Sequence, residues 1–181
     1  MKRRTLKGDG NVAREKTAEK ARERMEGCLL SVILAPGVLL GLDTVRDCMK
    51  HETLRAFLGR ALLHEIMPSM GLGREILDPV AMAVCREMEE PAIVQPLALL
   101  LPNAVRAWAD QTLPILRAYE EREETLPPCL CMSLSCLIML FAGARMEEDG
   151  RYTYLKNGEN CTLSEDEDIL RVLHQVYLES R

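Results

Sequence analysis

Aromatic residues are scarce in this chain: one Trp, four Tyr and two Phe make up 4% of 181 residues. That scarcity removes the usual platform for stacking on nucleic-acid bases. It also leaves the core to Leu, Ala, Met, Val and Ile, a mixture that suits helices better than sheets. Long hydrophobic runs are missing too. The longest, Cys28 to Leu40, is too short for an ordinary membrane span and contains Pro36 and Gly37. No apolar leader opens the chain, because MKRRTLKGDG runs directly into polar sequence. No internal repeat of about 20–50 residues is visible. Nor do strands and helices alternate, and no GxGxxG follows a strand. Gly71-Leu72-Gly73 is too short and falls between helices, so no dinucleotide-binding domain is expected. The seven cysteines are an odd number in a chain without a leader, which predicts reduced thiols and a cytoplasmic location.

What is present is 48% hydrophobic, enough for one packed domain. The net charge of -5 is uneven. Residues 1–26 hold nine Lys/Arg against five Asp/Glu, a balance of +4 that leaves -9 for the rest. An acidic body predicts neither a nucleic-acid nor a membrane partner. Within residues 13–26, AREKTAEKARERME shows no apolar face before Met25, and like charges stack four apart at Glu15, Glu19 and Glu23. Residues 1–26 are therefore expected to be a basic tail or an exposed helix, with the folded domain over 27–181.

The pattern beyond that point is mainly helical. Residues 28–40 predict a buried helix interrupted at Pro36-Gly37. Asp43 is a candidate cap for a short helix. From Glu52 to Met67, Leu54, Phe57, Leu58, Leu62, Leu63 and Ile66 recur at three and four, and Pro68 should end that helix. Asp78-Pro79 reads as a cap and first position for a helix to Glu89 with Val80, Met82, Ala83 and Met88 inward. Pro102 should split residues 92–111, where Val105 and Trp108 face inward. Residues 129–142, CLCMSLSCLIMLFA, are apolar nearly all round and predict the central buried helix. Alternation in RYTYLK between Asp149-Gly150 and Asn157-Gly158 predicts a small β-like excursion near 150–162. Ser164 should cap a last helix whose inner face is Ile169, Leu170, Leu173 and Val176. The fold class expected is all-α, with about eight helices.

Several stretches, in order, resemble one family. GLDTVRDCM (Gly41 to Met49), HEIMP (His64 to Pro68), EPAIVQPLALLLPNAVRAWADQTLP (Glu90 to Pro114) and LPPCLCMSLSCLIMLFAG (Leu126 to Gly143) are similar to the C-terminal domain of the mannitol dehydrogenase family. Within it, the tagaturonate reductase (altronate oxidoreductase) branch is the nearest likeness. The resemblance covers roughly residues 27–178. It implies an all-helical substrate domain that partners a separate Rossmann domain, NAD as the cofactor of the pair, and a sugar acid as substrate.

The resemblance also implies a Lys-x4-Asn-x2-His motif for proton transfer and oxyanion polarisation, and here the motif is absent. Aligned without gaps from Gly41, its positions hold Arg22, Gly27 and Leu30; shifted by one, they hold Ala21, Glu26 and Leu29. An arginine stays protonated and a leucine cannot polarise an oxygen. Among a second set of family positions, Gln95, Leu99, Ala107 and Gln111 replace polar residues, and Asn103 alone is retained. Asn103 is thus the one candidate substrate-binding residue, with a capping role after Pro102 as its other reading; no catalytic residue is assigned. The expectation is a truncated or degenerate substrate domain, unable to bind NAD or turn over alone. The other reading is a non-catalytic helical module that dimerises or binds a partner. Cys129, Cys131 and Cys136 fit no standard zinc spacing and read as core thiols. His51, His64 and His174 read as helix-surface histidines, and Glu120, Glu121, Glu123 and Glu124 as a solvated charge run.

Overall fold

The computed structural model describes residues 6–90, 92, 94–142, 145–146, 152–156, 159–163 and 167–179. Among them the chain is all-α, with nine α-helices and one small sheet. Helix α1 spans Leu6–Leu39, α2 Val45–Lys50 and α3 Glu52–Arg60. A π turn, Ala61–Ile66, and a 3-10 turn, Met67–Met70, continue α3. Then come α4 Arg74–Glu89, α5 Leu97–Leu100, α6 Ala104–Gln111, α7 Leu113–Glu123, α8 Pro128–Ala142 and α9 Glu167–Glu179. Strands β1 Arg145–Met146, β2 Tyr152–Lys156 and β3 Glu159–Leu163 form an antiparallel meander in the order β1-β2-β3. Its β2–β3 register pairs Tyr152 with Leu163 and Lys156 with Glu159. The β excursion is where the alternation placed it. The expected turns at Asp149-Gly150 and Asn157-Gly158, and the Ser164 cap, fall outside the described residues.

The central helix is the second half of α1, where α8 was expected. Cys28, Leu29, Val32, Ile33 and Ala35 have no exposed surface, whereas α8 leaves Met132 and Met139 more than half exposed. Pro36 does not stop α1, which runs on to Leu39. Proline there withholds the N–H that would bond the Val32 carbonyl. Ser133 of α8 supplies the replacement: its hydroxyl donates to that carbonyl at 3.1 Å, and the Trp108 indole N–H donates to the same hydroxyl at 3.2 Å. The boundary expected at 26/27 lies inside this helix, and Ala21 and Met25 already belong to the core.

Local chemistry moved several other ends. Thr44, not Asp43, is the N-cap of α2: its hydroxyl accepts from Asp47 N–H at 3.1 Å, and the Asp47 carboxylate accepts from Thr44 N–H at 3.2 Å, a reciprocal capping box. Asp43 instead accepts from Leu97 N–H through its carbonyl, holding the α1–α2 link to the start of α5. Helix α4 begins at Arg74 and carries Pro79 inside it. Asp78 forms an ion pair with Arg74 at 2.9 Å instead of capping. That start rotates the buried face to Leu77, Val80, Ala81, Val84 and Met88 and leaves Met82 exposed. Pro68 sits in the 3-10 turn, and the chain turns only at Gly71, whose φ of +68° suits glycine. Leu63 and Val176 are exposed, against expectation. Pro102 does split α5 from α6, as predicted.

Candidate functional site

The strip where the resemblance would place chemistry is the contact between α1 and α6. The two registers of the motif differ in burial. Ala21 and Leu29 are core residues, while Arg22, Gly27 and Leu30 are only partly buried. A strip that meets a ligand must reach the surface, so the gap-free register fits better.

Each position of that register is taken up by packing or by a salt bridge. Arg22 donates to the Glu87 carboxylate of α4 and lies 3.8 Å from Glu19 and 4.0 Å from Glu26. The Glu87 hydrogen bond and charge push the guanidinium up from its already high range, so it offers no transferable proton. At Gly27 the space a side chain would fill is taken by Gln111. A Cβ added there would stand 2.7 Å from Gln111 Oε1. The structure thus brings together two of the substituted positions, Gly27 on α1 and Gln111 on α6. Leu30 packs against the core.

A buried hydroxyl pair closes the same contact one turn on. Ser31 and Thr112 share a hydrogen bond of 2.6 Å, Ser31 also donates to Cys28 C=O at 2.9 Å, and Thr112 is fully buried. These hydroxyls are satisfied within the core. Burial pushes the Cys28 thiol up to about 11, so it stays protonated and is no nucleophile at neutral pH.

Asn103 lies at the far end of α6 from Gln111. It is exposed, adopts a left-handed φ of 76° that asparagine tolerates better than most residues, and its side chain caps nothing. Gln95 bonds Val45 N–H through its carbonyl at 3.0 Å, Leu99 is 74% exposed, and Ala107 is half-buried. A groove of about 330 Å³ lies between α1 and α4, with Arg14, Glu15 and Glu75 among its lining.

Glu65 is the functional-looking residue that sequence reading passed over. It is 2% exposed, and its two oxygens accept from Cys129 N–H at 2.8 Å and Leu130 N–H at 2.9 Å. Pro128 has no N–H, and Cys131 N–H bonds Pro127 C=O at 3.0 Å, so every donor of the first turn of α8 is accounted for. The carboxylate also faces the positive end of the α8 dipole. Its role is to cap α8 from a distance. The signal in the sequence was a carboxylate three residues after Leu62, on the apolar face. Burial and the Glu65 carboxylate push Cys129 up to about 12, and burial raises Cys131 and Cys136 as well. Among the described residues, no three His, Cys, Asp or Glu side chains converge as metal ligands. His51 caps α3, accepting from Leu54 N–H at 3.4 Å, while His64 and His174 are exposed.

The described residues do not fit a dinucleotide. The sheet is antiparallel, with no strand leading into a parallel crossover among the described residues. Gly73 opens α4, but the Glu75 carboxylate folds back over it where a phosphate would need to lie. No described helix is long and apolar enough to cross a membrane.

No protein-family model matches the chain. Curated relatives do. Altronate oxidoreductase of Klebsiella pneumoniae (strain 342) is 32% identical over 121 residues, which are 67% of this chain and 25% of that protein. The Cronobacter sakazakii protein of the same name is 32% identical over 139 residues, 77% of this chain and 26% of its own. That of Escherichia coli O139:H28 is 30% identical over 141 residues, 78% and 27% respectively. The chain spans about a quarter of the length of the curated relatives it matches. Most of this chain is therefore similar to one part of the altronate oxidoreductases.

Proposed function

We propose that this chain is a helical counterpart of the substrate domain of an NAD-dependent, tagaturonate-reductase-like oxidoreductase, one that has kept the scaffold and lost the chemistry. The observation that carries the reading is the state of α1. The positions matching the Lys, Asn and His of the resembled motif hold an arginine salt-bridged to Glu87, a glycine whose space Gln111 fills, and a leucine packed on the core. The guanidinium stays protonated at neutral pH and is tied to Glu87, and the glycine and leucine carry no side-chain group that could move a proton or polarise a carbonyl. By this reading the chain alone neither binds NAD nor reduces a keto-uronate. NAD chemistry, hydride transfer at the nicotinamide, belongs to a separate Rossmann-type partner. Asn103 remains the residue best matched to a sugar-acid contact, and the cytoplasm is the compartment its free thiols suit. The test is NADH oxidation by the purified chain with tagaturonate: no turnover is expected, and turnover overturns the reading.

A second reading, a helical interaction or dimerisation module, draws on a specific surface. Met132 and Met139 lie seven apart on α8, and Val172, Val176 and Leu178 are exposed on α9, which packs against α8. Light scattering tests it. A dimer disrupted by Met139→Glu supports the module, and a strict monomer rejects self-association.

A further inference from the structure

The small sheet ends in an open edge. Its strands run in the order β1-β2-β3, so β3, Glu159–Leu163, has a strand on one side only among the described residues. β3 pairs along its whole length with β2, whereas β1 offers only Arg145 and Met146 to the other side of β2. Among the described elements, β3 packs extensively on β2 alone. The unit is thus close to a lone hairpin, which is marginal in water without a further strand or a covering helix. The outer side of β3 is a row of backbone N–H and C=O groups. The strand carries one charge, at Glu159, and has no proline, lysine or bulge to block pairing there.

Two features decide what fits that edge. The first is self-complementarity. One register of antiparallel self-pairing uses every residue of β3. It sets Cys161 opposite Cys161 of a second copy, Asn160 opposite Thr162 and Glu159 opposite Leu163, so no like charges meet and an amide meets a hydroxyl. Parallel pairing in register would set Glu159 against Glu159. The second feature is closure. The far edge of the sheet is β1, two residues long and too short to template another strand, so pairing stops at two copies.

We infer that two copies of this chain join β3 to β3 about a two-fold axis at Cys161, forming one continuous sheet that doubles the three-stranded one. This interface uses none of the α1–α6 strip and none of the exposed residues of α8 and α9. It stands apart from both functional readings above.

The experiment is light scattering of the full chain over a concentration series, with Cys161→Lys and Met139→Glu beside it. Thr153 of β2 is buried and pairs with Thr162, so position 161 lies on the other face of the sheet. Lysine there leaves the buried face unchanged and sets two ammonium groups together at the axis. A dimer is expected for the unsubstituted chain and for Met139→Glu, with association weakened at least about tenfold in Cys161→Lys and the same circular dichroism. Paired strands hold Cα atoms about 4.5–5.5 Å apart, within the roughly 4.4–6.8 Å that a disulfide spans. Diamide, a thiol oxidant that takes up the two hydrogens, should therefore join the two Cys161 thiols into a covalent dimer that Cys161→Ser abolishes. That comparison needs no folded lysine variant. The inference is overturned if the chain is monomeric at every concentration, if folded Cys161→Lys dimerises as well as the unsubstituted chain, if Met139→Glu dissociates the dimer, or if the cross-link survives Cys161→Ser.

Discussion

Ser133 donates its hydroxyl to the main-chain carbonyl of Val32, 101 residues earlier, at 3.1 Å. That bond answers the gap Pro36 leaves in α1, and it anchors α8 to the central helix through a fully buried contact. Trp108 completes the chain from α6. Ser133→Ala therefore leaves one buried donor and one buried acceptor unpaired. A loss of about 1–3 kcal/mol is expected, or roughly 2–4 °C in Tm per kcal/mol for a chain of this size. Ser135→Ala, whose exposed hydroxyl bonds only its own helix, should shift Tm little. Thermal denaturation of the two variants side by side makes the comparison.

Glu65 sets the start of α8. Glu65→Ala strips the acceptor from two buried N–H groups, at about 1–3 kcal/mol each. Glu65→Gln keeps one carbonyl oxygen and should lose less than Glu65→Ala. Urea denaturation that ranks the two variants the other way would remove Glu65 as the cap.

Two glycines in α1 make opposite predictions. A Cβ at Gly37 would stand 2.5 Å from Cys48 Sγ and 3.0 Å from Leu97 Cδ1, both buried atoms. Gly37→Ala should cost about 1–3 kcal/mol through overpacking. At Gly27 the obstacle is the end of the Gln111 side chain, which can turn away. Gly27→Ala should be near neutral, since replacing a mid-helix glycine returns about 0.5–1 kcal/mol. Denaturation midpoints of the pair check both signs.

Alkaline stability carries a thiol signature. Cys28 is raised from an ordinary 9.0 to about 11 and Cys129 to about 12, mainly by burial. The unfolded thiols ionise first, so the folded state binds more protons above pH 9. This contribution to stability is complete below pH 9 and declines toward pH 11 for Cys28 and pH 12 for Cys129, by roughly 1.4 kcal/mol per pH unit per thiol. Cys28→Ala should flatten that slope by one thiol's share in urea melts taken from pH 8 to 11.

The helical class, the split at Pro102 and the β meander were legible because each rests on local chemistry: periodicity, a missing N–H, alternation between turn residues. What was not legible depends on residues far apart in the chain. Pro36 looked like a stop until Ser133 answered its orphaned carbonyl. Asp78-Pro79 looked like a helix start because that local pattern is common, yet Arg74 holds Asp78 inside the helix. Glu65 drew no notice in the sequence because its partners are backbone groups some 64 residues away. At the candidate strip, that the matched positions hold Arg22, Gly27 and Leu30 rather than Lys, Asn and His is plain from residue identity. The filling of Gly27 by Gln111 and the tie of Arg22 to Glu87 needed coordinates.

The most direct measurement is NADH-dependent reduction of tagaturonate, with the purified chain alone and with a separately expressed nucleotide-binding half of an altronate oxidoreductase. With Arg22, Gly27 and Leu30 at the motif positions, no turnover above background is expected in either case. Substrate-dependent NADH oxidation in either would contradict the account and return this chain to the catalysts.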